Sequence, residues 1–189
     1  MTHIPGLAAW VGAAVPTTEH TVSITPCTPA TVTVTGARAS PEALPLEDDV
    51  ADCVVLDRVL PALERPDALL AEVRRVLRPA GSMVAVVPAP GRSLGALRRG
   101  VRRGLLGKGW ACPAAVDHPG WLLAAADFAV LGDVRATFEA PAEVESLVSC
   151  GAWPEPDASR REAVERRVAR LAAAGRTVPV GFRRLVGRR

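Results

Sequence analysis

Residues 44–88 read LPLEDDVADCVVLDRVLPALERPDALLAEVRRVLRPAGSMVAVVP, and this stretch decides the fold. Cys53–Asp57 (CVVLD) is a continuous apolar run ending in a carboxylate, the pattern of a parallel strand covered on both faces. Pro66 and Asp67 open a helix that sets Leu69, Leu70, Val73, Val76 and Leu77 on one stripe. Glu72, Arg74, Arg75 and Arg78 fall outside it. Pro79 and Gly81 stop the helix, and Met83–Val87 (MVAVV) is a second buried strand. Strand, helix, stop and strand in this order make one unit of a parallel α/β sheet.

Upstream, Thr21–Thr25 (TVSIT) and Thr31–Thr35 (TVTVT) alternate β-branched residues with period two and read as strands. Thr28, Pro29 and Ala30 separate them closely enough for either a hairpin or two consecutive edge segments. Leu7–Val15 reads as a short helix ended by Pro16, and residues 36–49 as a loop. Downstream, residues 91–118 form a basic, glycine-spaced insertion. Then come a helix at Trp121–Ala126, a strand at Val134–Phe138, helices at Glu143–Ser149 and Ala158–Ala174, and a last strand at Thr177–Val186. No repeat or low-complexity linker interrupts this order. The expectation is one domain over residues 1–189, with 1–30 a divergent N-terminal segment and 91–118 a basic cap.

The 189 residues are 49% hydrophobic and 23% charged, ordinary for a soluble globular protein. No apolar run approaches the ~20 residues of a membrane span. No Lys or Arg precedes the apolar patch near the N-terminus, which argues against a secretory signal. Cys27, Cys53, Cys112 and Cys150 lack the paired spacing of zinc or redox sites, so no metal is expected and a reducing cytoplasm is favoured. Of the 23 basic residues only Lys108 is a lysine, and Tyr, Asn and Gln are absent. This is the mark of a GC-rich bacterial coding bias. Nucleic-acid binding would need aromatic interleaving or a known module, and is not expected.

The central stretch resembles class I S-adenosylmethionine-dependent methyltransferases of the small-molecule, type 11 kind. Members carry a phrase similar to Leu44, Pro45, Leu46, Glu47, Asp48, Asp49, Ala51, Asp52, Val54 and Val55. A helix ending in R-V-L-basic-P-G-G follows, matched by Leu69–Gly81 with Ala80 in place of the first glycine. A later W…L-A-G-F-V element is similar to Trp121–Val130, with Asp127 in place of the glycine, and the Phe182–Arg189 ending also fits. The resemblance spans roughly residues 31–189. It implies a methyltransferase-like, mostly parallel sheet with flanking helices, shortened at its N-terminal edge and closed by an antiparallel strand pair. The cofactor it implies is S-adenosylmethionine.

The cofactor site is where the pattern departs. Such a site needs glycines at the first strand-to-helix turn and an acid near the end of the second strand. Gly6 and Gly12 are the only glycines before Gly36, and no convincing strand precedes them. One βα unit is expected to be missing or collapsed, or to lie in an upstream extension. The family's adenine-facing acid falls on Ala37, or on Ser40 in a shifted alignment, with Glu42 the nearest carboxylate. Asp57 matches a cofactor-facing position; a cap on the following segment or a pair with Arg58 is the competing reading. Asp57, Glu42 and Leu44 are therefore the cofactor-binding candidates.

His118, in VDHPGW, borders the family's substrate pocket and is the candidate general base; a loop or helix-entry histidine is the competing reading. His3 and His20 have no supporting context. Arg98, Arg99, Arg102 and Arg103 stack at i,i+4 if helical, as a lid for an anionic ligand or acidic partner, or as a solvated face. Trp110 and Trp121 wall a pocket or belong to the core. Three functions remain open. The favoured one is a degenerate methyltransferase-like protein serving as a partner or regulatory subunit, or as a binding scaffold. The others are a small-metabolite methyltransferase with an atypical or partner-completed cofactor site, and a repurposed cyclase or isomerase of secondary metabolism. A small-molecule ligand or protein partner is expected, and oligomerisation is left open.

Overall fold

The computed structural model describes residues 4–89, 110–149, 151–156, 158–159 and 161–189. Its strands are β1 Thr21–Thr28, β2 Thr31–Val34, β3 Ala37–Ala39, β4 Ala51–Asp57, β5 Leu77–Pro88, β6 Ala129–Ala140 and β7 Val178–Arg188. They form one sheet in the order β3-β2-β1-β4-β5-β7-β6. The described helices are α1 Leu7–Gly12, α2 Pro66–Val76, α3 Ala114–Asp117, α4 Pro119–Ala125, α5 Val144–Ser149 and α6 Arg161–Ala173, with a 3-10 turn at Leu60–Ala62.

The expected parallel centre is present: β1, β4 and β5 run parallel. The closing strands β6 and β7 are antiparallel, as expected: Arg183 bonds Asp133 while Thr177 bonds Glu139, so the partners run in opposite order. β7 is also antiparallel to β5, where Ala89 bonds Gly181 and Arg189 bonds Gly81. The two strands open to either a hairpin or edge segments form a hairpin, β1 antiparallel to β2. A further strand, β3, lies inside the stretch read as a loop. Ala37–Ala39 has no β-branched residue, and its pairing follows from the two-residue turn at Thr35–Gly36, where both φ angles are positive (46° and 96°).

The chain divides into two compact units. One comprises residues 10–87, 111–134 and 183–189, the other 1–9, 88–110 and 135–182. In the first, α2 begins at Pro66, where the missing N–H costs nothing. It buries Leu69, Leu70, Val73 and Val76 against Val54, Leu56, Met83 and Ala85 of β4 and β5. Cys53, Val55 and Val84 point to the opposite face, where Val11, Ala14 and Val15 cover them. That two-sided burial explains why both strands are uninterrupted apolar runs. The β4–β5 ladder shifts register between Ala51, opposite Leu77, and Cys53, opposite Ser82, so the helix-stop residues Arg78–Gly81 loop out. In the second unit α5 and α6 bury Leu147, Val164 and Val168, with Trp153 and Phe182 fully enclosed.

Candidate functional site

Ligands of open parallel α/β sheets lie beyond the carboxyl ends of the strands. Here β1 pairs with β4 from Thr21↔Cys53 to Ile24↔Leu56. Asp57 therefore stands one step past the last pair, level with Thr25. β1 runs on beyond that edge and turns back through Pro29 and Ala30, with Thr25↔Thr33, Pro26↔Val32 and Thr28↔Thr31 paired. The Thr28 and Thr31 hydroxyls lie 2.7 Å apart, and the Ala30 N–H donates to Thr28 Oγ1 at 3.3 Å. A ligand loop after β1 would present free backbone amides at a helix N-terminus. Two turn residues occupy that place instead.

Asp57 is engaged by its own neighbour. Arg58 Nε donates to Oδ1 at 2.7 Å and Nη2 to Oδ2 at 2.5 Å, with both side chains largely buried. Arg58 has a left-handed φ of 58°, and its N–H donates to the Val86 carbonyl at 2.9 Å. The fork satisfies the carboxylate that the sequence marks as cofactor-facing.

Glu42 is exposed and accepts a hydrogen bond from Arg65 Nη1 at 3.2 Å. Leu44 is buried, its N–H donating to Glu72 Oε2 at 2.8 Å and its carbonyl accepting from Arg75 Nη2 at 3.2 Å. Arg75 also reaches the Leu46 carbonyl at 2.9 Å and Asp48 Oδ1 at 2.6 Å, so one guanidinium clamps residues 44–48 to α2. The Arg75 hydrogen bonds hold the Glu72 carboxyl below its usual range against the opposing effect of burial, and Glu72 with Asp48 pushes Arg75 up. Ala37 lies in β3 opposite Val34, and Ser40 bridges Ala43. Neither position carries an acid.

His118 is exposed at the junction of α3 and α4. Its N–H donates to the Ala114 carbonyl at 2.9 Å, and its carbonyl accepts from Leu122 N–H at 3.1 Å. Cys112 N–H donates to the Pro61 carbonyl at 3.1 Å, tying this helix pair to the chain leaving β4 just after Asp57. Arg98, Arg99, Arg102 and Arg103 lie outside the described residues. Trp121 is 69% exposed, which removes the core reading for it, whereas Trp110 is half-buried. The Cys53 thiol is pushed up to about 11 by burial and by Asp52 beside it, as befits a core residue. Among the described residues no helix is long and apolar enough to cross a membrane. The pair with Arg58, one of the readings open to Asp57 in the sequence, is the one formed, whereas sequence reading missed the Arg75 clamp. An arginine at that place looks like a charged outer residue of any helix.

Comparison with known proteins agrees with this architecture. Residues 19–85 match the model of the methyltransferase domain family. A candidate methyltransferase from Bacillus halodurans C-125 superposes with a TM-score of 0.50 at 12% identity, covering 79% of this chain and 69% of that one. The YcgJ protein of Bacillus subtilis gives 0.45 at 15% identity, covering 80% and 69%. An uncharacterised 37.1 kDa protein in transposon TN4556 of Streptomyces fradiae is 53% identical over 45 residues, which is 24% of this chain and 13% of that protein. Residues 19–85 thus match the methyltransferase-domain family, and the chain has the class I methyltransferase fold.

Proposed function

We propose that this chain is a methyltransferase-fold protein that does not hold S-adenosylmethionine on its own and acts as a partner or regulatory subunit, or as a small-molecule-binding scaffold. The observation that carries this reading is the Thr28–Thr31 turn, which joins β1 to β2 with two residues where a cofactor loop and helix would stand. The Arg58 fork supports it, because the carboxylate best placed for a ligand is already satisfied. The residues present do not fit the cofactor, so no catalytic step is assigned to it. A thermal-shift series with S-adenosylmethionine and S-adenosylhomocysteine tests the reading. A ligand that binds the folded state raises the melting temperature as its concentration passes Kd, and no rise is expected.

A methyltransferase whose site is completed by a partner is the second reading. It is favoured by the family match over residues 19–85 and by Asp57 at the carboxyl end of β4. His118 would be its base. This reading requires the thermal shift to appear when a partner is added.

A further inference from the structure

The two faces of the parallel centre in the first unit are covered unequally. On one side α2 lays Leu69, Leu70, Val73 and Val76, all fully buried, over β4 and β5. On the other, Cys53, Val55 and Val84 lie under Val11, Ala14 and Val15, which are only half-buried themselves. Parallel strands are ordinarily covered by helices on both faces. Here residues 10–15 stand in for one of them. The Ala14 N–H donates to the Val11 carbonyl at 3.1 Å and the Val15 N–H to the Gly12 carbonyl at 3.0 Å.

Arg184 fastens this cover. Leu185 packs into the core on the α2 side, so Arg184, one residue earlier on β7, points to the opposite face. Its guanidinium carbon lies 4.8 Å from the centroid of the Trp10 ring, and Nη1 donates to the Trp10 carbonyl. The fastening is incomplete, because Arg184 Nε is buried and has no acceptor among the described residues. A buried donor without an acceptor is destabilising, and opening to water would satisfy it. At the far end of the cover His20 is held to β4. Its N–H donates to Asp52 Oδ2 at 3.3 Å, and its carbonyl accepts from the Asp52 N–H at 3.0 Å. Between the two anchors Pro16, Thr17, Thr18 and Glu19 are exposed and supply a hinge.

We propose that residues 10–15 form a strap latched by Arg184, which opens on its hinge ahead of the sheet and uncovers the Cys53 thiol. The inference is independent of the cofactor reading. Segments held by few buried apolar contacts open locally while the rest of a domain stays folded, and α2 supplies the contrast on the opposite face.

Alkylation of the native full chain with iodoacetamide tests the proposal. Peptide-resolved mass spectrometry follows Cys53 apart from Cys27, Cys112 and Cys150. In the wild type Cys53 is expected to react faster than global unfolding, measured in urea, allows. Arg184→Met loses the ring contact and the hydrogen bond, and should speed Cys53 by about tenfold. Amide exchange across α2 should stay at its wild-type rate. Gly12→Ala, whose added Cβ meets nothing within 4 Å, should steady the strap and slow Cys53 by about threefold. A Cys53 rate equal to that of global unfolding overturns the proposal, as does an Arg184→Met variant in which Cys53 and the α2 amides speed up together. Should that variant fail to fold, an unchanged Cys53 rate in Gly12→Ala overturns it.

Discussion

Arg58 folds its guanidinium onto the carboxylate of Asp57, the residue before it, through two hydrogen bonds of 2.7 and 2.5 Å. The contact stands at the carboxyl end of β4, where a parallel sheet ordinarily meets its ligand. Arg58 makes it from a left-handed backbone, with a φ of 58°.

Removing the fork leaves a largely buried carboxylate without these two donors. Arg58→Ala is expected to lower stability by about 1–3 kcal/mol in urea unfolding. Arg58→Gly loses the same hydrogen bonds and relieves the positive φ, so it should be more stable than Arg58→Ala by about 1 kcal/mol. Equal losses in the two variants would contradict a strained backbone at this position.

The β2–β3 turn makes a separate prediction. Thr35 is β-branched, yet it takes a φ of 46° at the first position of a two-residue turn whose second is Gly36. Asn-Gly is the preferred pair for such a turn. Thr35→Asn should raise stability by about 0.5–1 kcal/mol, and a loss would mean that the Thr35 side chain makes a compensating contact.

Two positions where the family pattern has glycine give the next test. Ala80 and Asp127 both adopt positive φ, at 63° and 60°. Residues that carry a Cβ hold there a backbone conformation that suits glycine. Ala80→Gly should gain up to about 1 kcal/mol, and Asp127→Gly less, because aspartate tolerates the left-handed region better. Gly81→Ala should do the reverse, since a Cβ there would lie 2.8 Å from the Arg78 carbonyl oxygen. Chemical denaturation of the three variants checks the order.

Much of this was readable from the chain. The β4–α2–β5 unit follows from apolar runs, the Leu69–Val76 stripe and the Pro79–Gly81 stop, because burial on two faces imposes that pattern. β3 was not readable: Ala-Arg-Ala has no strand signature, and the tight turn before it forces the pairing. The Thr28–Thr31 turn after β1 was only half readable, because the spacing left a hairpin and two edge segments equally open. The Asp57–Arg58 pair was one of the readings open from the adjacent residues, whereas the Arg75 contacts reach residues 44–48 far along the chain and depend on backbone direction, which residue type does not specify.

Acid should weaken the clamp on residues 44–48. The folded carboxyl of Glu72 titrates below its ordinary 4.5 because Arg75 hydrogen-bonds it. Its contribution is therefore fully present above that value and is lost as pH falls through the lower folded value. Urea midpoints should decline through this acid range in the wild type. Arg75→Met should flatten that part of the curve and cost about 1–3 kcal/mol at neutral pH. A curve of unchanged shape would show that the Glu72–Arg75 contact is not coupled to folding.

The central claim is that the β1–β2 turn leaves no place for the cofactor in this chain alone. Isothermal titration of the purified chain with S-adenosylmethionine, repeated with S-adenosylhomocysteine, tests it most directly. No saturable heat is expected with either ligand, whereas micromolar binding at one ligand per chain would contradict the claim.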